Sequence, residues 1–161
     1  MRRQRSASRA NERGAAMVEF VILFPFLLAL AFGVWEFGRI LDAQLVATNA
    51  AREGARAAAR TTVLDPAVIT QRASDRAWEY LQDGYGGRLG TVSGNTCSTG
   101  DVCLKQNDIL VTFLNDSGTP VPAALGLQVR VTVPVKVRVF QNFLPGMADG
   151  ITVTGLASMR L

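Results

Sequence analysis

The sequence predicts a membrane-anchored α+β protein, and three patterns carry that prediction. Residues 20–34 form an uncharged apolar run that follows a cluster of arginines. A stretch rich in helix formers and free of proline continues from it over residues 36–60. Residues 127–139 alternate apolar and polar side chains, which is typical of a β-strand with one solvent-facing side. We therefore expect a long N-terminal helix, a second helix and a small antiparallel β-sheet.

The net charge of +4 comes from the first fourteen residues. They contain five arginines and one acid, Glu12, whereas residues 15–161 carry twelve basic and twelve acidic side chains. Basic residues just before an apolar helix are typical of the cytoplasmic side of a membrane span. We interpret residues 1–14 as a cytoplasmic leader without regular structure. Nucleic-acid binding by the leader is the alternative, which we disfavour because the rest of the chain is neutral.

Residues 15–35 are predicted to form a transmembrane helix. Twenty-one helical residues extend ~31 Å, about the thickness of the hydrocarbon core of a bilayer. A secretory signal peptide is the alternative, but no small-residue cleavage site follows the apolar run. Pro25 predicts a kink or local unwinding, although membrane helices also tolerate proline. The chain is thus expected to cross the cytoplasmic membrane once, with its C-terminal part extracytoplasmic.

The helix is expected to continue outside the membrane over residues 36–60. Small residues recur there at every fourth position and would let another backbone approach closely: Ala47, Ala51, Ala55 and Ala59. A second stripe consists of Arg52, Arg56 and Arg60. It is either a solvated face or a charged contact with a neighbouring subunit.

Residues 61–161 are expected to form an extracytoplasmic α+β domain. Asp65-Pro66 predicts the start of a second helix over 66–82. Three strands are predicted, over 108–114, 127–139 and 151–161, with the helices covering their apolar face. Because Pro134 cannot donate to a β-ladder, its strand should be an edge strand or bulge there. The loop 141–150 is predicted to fold back onto the core.

The only two cysteines, Cys97 and Cys103, lie in a polar, loop-like segment. On the extracytoplasmic side a disulfide between them would persist, and two unpaired thiols are the alternative. We expect no metal site, because the chain has no histidine and only two cysteines. Nor do we expect an enzyme, a cofactor or a small-molecule substrate, since the sequence has neither a histidine for acid–base chemistry nor a glycine-rich phosphate loop.

Several short motifs, in order, resemble the TadE-like family, pseudopilins of the tight-adherence (Flp-type) pilus system. They are Glu12-Arg-Gly-Ala-Ala-Met-Val-Glu-Phe20, Pro25, Phe32-Gly-Val-Trp-Glu-Phe-Gly-Arg39 and Asn49-Ala-Ala-Arg-Glu-Gly-Ala-Arg56. The detailed likeness covers about 45 residues, and the remainder agrees only in general plan. Phe20 stands where major Flp pilins usually carry tyrosine, and the long C-terminal domain also differs from those short subunits.

The resemblance implies a pilin-like fold and a role in pilus assembly. A prepilin peptidase would remove the leader between Gly14 and Ala15, and Glu19 would then be the fifth residue of the mature chain. Glu19 would serve assembly, opposite the amino terminus of a neighbour. The implied partners are the lipid bilayer, the peptidase and other Tad/Flp components.

Simpler interpretations of the same residues remain open. Gly14 can be a junction residue, and Glu19 can be an interfacial carboxylate without a partner. The whole chain can also be an uncleaved single-span protein whose extracytoplasmic domain binds an envelope partner.

Overall fold

Helix α1 is the longest element of the computed structural model, and it spans Arg5–Ala59. The structure describes residues 5–62, 65–86, 89–90, 92–93, 96–97, 102–123, 126–138 and 150–161, without side chains at 5–14, 92–93 and 96–97. Contacts divide the chain into two units, Met1–Gly38 and Arg39–Leu161. The α+β fold class is confirmed, with a long apolar N-terminal helix, a second helix and a small sheet.

The course of α1 differs from the prediction at its start and agrees with it at its end. The helix begins at Arg5, so the prediction that residues 5–14 lack regular structure was wrong. It continues through Pro25 without a break. The predicted continuation beyond residue 35 is confirmed, since α1 ends at Ala59.

Helix α2 spans Pro66–Tyr85 and begins as its sequence predicts. The carboxylate of Asp65 accepts a hydrogen bond of 2.9 Å from the backbone N–H of Ala67, and Pro66 occupies the first turn. This cap satisfies a backbone donor that the first turn leaves unpaired. One face of α2 is buried, and it consists of Ile69, Ala73, Ala77, Leu81 and Tyr85.

The sheet contains one long central strand and is mixed rather than wholly antiparallel. The strands are β1 Leu89–Gly90, β2 Val92–Ser93, β3 Thr96–Cys97, β4 Val102–Cys103, β5 Leu110–Leu114, β6 Gln128–Val137 and β7 Ile151–Arg160. β1 pairs parallel with β4, and β6 pairs antiparallel with β4, β5 and β7. β2 and β3 form a separate hairpin. The predicted loop 141–150 lies outside the described residues apart from Gly150.

The prediction that Pro134 marks an edge strand or a bulge was wrong. β6 is the central strand, and its pairing with β7 runs without interruption from Gln128 to Val137. β7 occupies one flank of β6 along its whole length. β5 and β4 share the other flank, where they pair with residues 128–132 and 136–137. Pro134 lies between these two stretches, where neither β5 nor β4 pairs with β6. A proline, which has no N–H to donate, is therefore accommodated in a central strand.

The alternation predicted in the central strand is confirmed. The odd-numbered side chains of β6 from Val129 to Val137 are buried in one cluster with α1 and α2. On α1 this cluster consists of alanines: Ala43, Ala47, Ala50, Ala51, Ala55 and Ala58. Small side chains let the helices approach closely, as a Cβ at Gly54 would lie 2.7 Å from the carbonyl oxygen of Ala73. The even-numbered side chains of β6 lie on the opposite, uncovered face.

Candidate processing and assembly site

The candidate site lies in the N-terminal part of α1, around Gly14, Ala15 and Glu19. Gly14 and Ala15 are consecutive residues of one continuous helix. Ala15 and Glu19 are four residues apart, so they lie on the same side of the helix, about one turn from each other. Both are exposed.

Glu19 is the only charged residue between Ala15 and Trp35. Within the described part of a single chain, its carboxylate makes no hydrogen bond or ion pair. A lone carboxylate in the centre of a bilayer costs about 2.5–3.5 kcal/mol. Near the end of a span it can either reach water or be offset by a positive partner from another molecule.

The part of α1 around Glu19 is exposed along its length. Its apolar side chains are exposed on every side from Met17 to Val34, and the rings of Phe20 and Phe24 are 5.5 Å apart. Among the described residues, α1 is the one helix long and apolar enough to cross a membrane. Such a surface requires an apolar environment, which lipid or other apolar helices can supply.

Beyond the predicted span, α1 has two faces with different environments. Ala43 and Ala47 are buried in the core, whereas Leu41 and Leu45 are exposed. Of the predicted small-residue seam, Ala47, Ala51 and Ala55 are buried in the core of the same chain, whereas Ala59 is only partly buried.

The arginine stripe of α1 is exposed at Arg52, Arg56 and Arg60. Arg56 forms an ion pair of 3.1 Å with Glu53. On α2, a hydrogen bond from Arg76 to Glu79 raises the pKa of Arg76, with a smaller contribution from Glu53. These are exposed pairs, which contribute little to stability, and the stripe stays accessible to solvent or to another subunit.

The two cysteines lie in strands that are consecutive in the chain, Cys97 at the end of β3 and Cys103 at the end of β4. Cys103 is buried and disulfide-bonded, and Cys97 is the only other cysteine of the chain. Among the residues that the structure describes, no group of histidine, cysteine or carboxylate side chains could hold a metal ion.

Two features of the domain were not predicted from the sequence. The side chain of Gln44 on α1 donates a hydrogen bond of 3.1 Å to the backbone carbonyl of Thr154 on β7. β7 itself is an outer strand. Its alternation of apolar residues predicted a strand, but a strand pattern contains no information on which flank of that strand is paired.

No curated protein and no solved structure matches the chain. Residues 14–56 match the model of the family described as TadE-like protein. The matched segment begins at Gly14 and includes Ala15, Glu19 and most of the part of α1 that packs in the core. The resemblance inferred from the sequence motifs is thereby confirmed, and residues 14–56 of this chain are similar to the TadE-like family.

Proposed function

We propose that this chain is a pseudopilin or minor pilin of a tight-adherence pilus system, anchored in the cytoplasmic membrane and active by packing rather than by catalysis. The observation that carries this proposal is the TadE-like match over residues 14–56. It begins where the arginine-rich segment gives way to the apolar helix, so the matched residues start with the proposed processing site.

Processing is the first step of the proposal. A prepilin peptidase would cut between Gly14 and Ala15 on the cytoplasmic side and release residues 1–14. This bond lies inside α1, so the helix has to open locally before the bond can enter a protease cleft. Gly14 favours such opening, because glycine in a helix costs about 1 kcal/mol relative to alanine.

Within the described part of a single chain the Glu19 carboxylate has no positively charged partner. The new amino terminus of a neighbouring chain can supply one. Cleavage creates an α-amino cation at Ala15, and in an assembly this cation can pair with Glu19 of a neighbouring copy or subunit. Such pairing offsets part of the desolvation of both charges. After cleavage Glu19 also lies in the second turn of the shortened helix, near the positive end of the helix dipole.

Helix packing would supply the rest of the assembly contact. Leu41 and Leu45 are one turn apart on the exposed face of α1, and Leu45 is 64% exposed. They lie outside the predicted span, so lipid would not cover them. Burying an exposed leucine against another helix contributes about 1.5–3 kcal/mol.

The proposed orientation places the N-terminus in the cytoplasm and residues 36–161 outside. The arginines of the leader support it through the positive-inside rule. The disulfide at Cys103, which we propose to join Cys97, supports it because such bonds persist in oxidising compartments.

The test is to determine the first residue of the membrane-embedded protein by mass spectrometry, in cells with and without the peptidase. We expect a chain that starts at Ala15 and is lost in Gly14→Leu, whose bulky side chain would obstruct the protease subsite. Glu19→Gln keeps the shape of the side chain and removes its charge. We expect this variant to be cleaved normally but to fail in pilus assembly.

A second candidate function is a single-span protein that is never cleaved and binds an envelope partner through its extracytoplasmic domain. The observation that favours it is the uninterrupted helix across the Gly14–Ala15 bond. A mature protein that starts at residue 1 or 2 in cells containing the peptidase would support this candidate and overturn processing.

A further inference from the structure

The outer strand β7 is paired along one side only. Its ten residues pair with β6 from Ile151 to Arg160 in a register without a bulge. No other strand among the described residues pairs with its second side. A strand in this position presents a row of backbone donors and acceptors to which another strand can bind.

The backbone hydrogen bonds show which residues of β7 face outward. The N–H of Leu161 donates to the carbonyl of Leu127 at 3.0 Å, one step beyond the last pair of the β6–β7 ladder. Because N–H and C=O groups alternate sides along an antiparallel strand, the odd-numbered residues of β7 face β6 and the even-numbered residues face the free edge. The bond from Gln44 to the carbonyl of Thr154 agrees with this assignment.

This alternation also explains Pro134. It is opposite Thr154, in a pair whose polar groups point away from each other, so the proline nitrogen faces the interval between β5 and β4. No ladder bond to β7 is lost there.

The free edge differs from the other long edge of the sheet. On β5, the carbonyl of Phe113 already accepts a hydrogen bond from Val121 at 3.0 Å, and Leu114 is bridged to Pro120. Along β7, the carbonyl of Thr154 accepts a hydrogen bond from the side chain of Gln44. From Leu156 to Met159 the strand has no proline, charged side chain or bulge, which are devices that usually protect an edge, and its one charged residue, Arg160, lies at the end.

Side chains beside this segment are apolar and exposed. Leu156 is 56% exposed and Leu127 is 53% exposed, and Met159 and Leu161 are exposed as well. Leu156 and Leu110 flank Thr132 in one row across the uncovered face of the sheet. Met159 is opposite Val129 and lies on the other face of β7, where the apolar side chains of an added strand would pack beside it.

The uncovered face is basic near the edge. Lys136 and Arg130 lie on β6, opposite Thr152 and Ser158 of β7. Arg160 lies on β7 itself and forms an ion pair with Asp116. Among the described side chains of β5, β6 and β7 on this face there is no carboxylate, so the charge favours a partner that brings acidic residues.

A second copy of this chain does not fit the edge. Antiparallel pairing of two β7 edges about a two-fold axis would place the two basic faces side by side, and the like charges of Arg130, Lys136 and Arg160 in the two copies would oppose it. Pairing with β5 of another copy is blocked by the Val121 contact.

We propose that the edge of β7 over Leu156–Arg160 binds an extended segment of a different protein by strand addition. The segment would alternate apolar residues with carboxylates, so that its backbone pairs with Leu156, Ser158 and Arg160 while its acids face the basic side of the sheet. This mode combines main-chain hydrogen bonds with side-chain selectivity. It depends on the geometry of the sheet and not on processing of the leader.

The test uses the full chain in lipid nanodiscs and capped probe peptides about nine residues long, the length of a typical strand. One probe alternates valine with threonine and glutamate, and its control has lysine in place of glutamate. We expect the acidic probe to bind about fivefold more tightly, the equivalent of one favourable cross-strand charge pair, with Arg160. Backbone N–H groups of Leu156, Ser158 and Arg160 should become protected from hydrogen exchange.

Ser158→Pro removes one outward N–H without removing a bond to β6, and Ser158→Ala is the matched control. We expect the proline variant to lose binding about tenfold or more, while its melting temperature stays close to that of the alanine variant. Equal binding of the two probes, no binding at about 1 mM, protection at other amides, or unchanged binding by Ser158→Pro would each overturn the proposal.

Discussion

Gly155 of β7 lies directly against the backbone of Ala47 in α1. A Cβ atom placed on Gly155 would be 2.2 Å from both the carbonyl carbon and the carbonyl oxygen of Ala47, and 2.6 Å from the nitrogen of Thr48. No real Cβ makes contacts this short, so the position accepts glycine alone. The contact holds the helix close to the outer strand of the sheet.

We predict that Gly155→Ala strongly destabilises the domain. Either the helix or β7 must move, and overpacking of this kind costs about 1–3 kcal/mol or more. Thermal unfolding of the full chain, followed by near-UV circular dichroism, measures the effect. The control is Gly38→Ala, where no atom lies within 4 Å of the added Cβ, and it should leave the melting temperature unchanged or raise it. Equal melting temperatures for the two variants would contradict this close contact.

Tyr85→Phe is expected to lower the free energy of unfolding by about 1 kcal/mol. The hydroxyl of the buried Tyr85 donates a hydrogen bond of 3.0 Å to the carbonyl of Ala43, and its removal leaves that carbonyl without this donor. Denaturant titration gives the difference directly. Tyr80→Phe is the matched control, because Tyr80 is only partly buried. A loss as large in the control would show that the hydrogen bond is not the cause.

Leu45→Gln is expected to leave the unfolding of the domain unchanged and to weaken pilus assembly. Leu45 contributes little to the core because it is exposed, whereas a polar side chain removes the apolar contact proposed with a neighbouring helix. The measurements are the melting temperature and the yield of assembled pili. Arg72→Gln, exposed on α2, serves as the control for surface changes. Normal assembly with Leu45→Gln would count against the helix-packing step.

Removal of the disulfide is expected to cost about 2 kcal/mol, as calculated for a closed loop of about seven residues. The double variant Cys97→Ser, Cys103→Ala should therefore unfold at lower denaturant concentration than the oxidised protein, and close to the reduced protein. Mass spectrometry of the oxidised protein after proteolysis identifies the paired cysteines. A bridge from Cys103 to any other molecule would refute the proposed intramolecular pairing.

The elements with regular side-chain periods could be predicted from the sequence. The start of α2 at Pro66 and the buried odd positions of β6 follow from one local pattern each, and both are confirmed. The TadE-like motifs were also recognisable, since their order and spacing within α1 are specific. In each case the information lies in residues close together in the chain.

Features that depend on distant residues could not be predicted in this way. Pro134 indicated an edge strand, yet two short strands share one flank of β6 and leave an interval for it. Whether an edge of β7 stays free likewise depends on the positions of β5 and α1, which are distant from β7 in the sequence. At the processing site the sequence identified Gly14, Ala15 and Glu19, whereas the partner proposed for Glu19 belongs to another molecule.

The alanine-lined contact between α1, α2 and β6 reverses the usual response of a protein core to mutation. Most cores are damaged by truncation, which leaves a cavity, but alanine has almost nothing to remove. Here the damaging direction is enlargement, because each added methyl group must push two backbones apart. Whether a substitution is tolerated at these buried alanines should therefore depend on side-chain volume more than on hydrophobicity. Glycine and serine should be accepted more readily than valine or leucine at Ala47, Ala51, Ala55, Ala73 and Ala77.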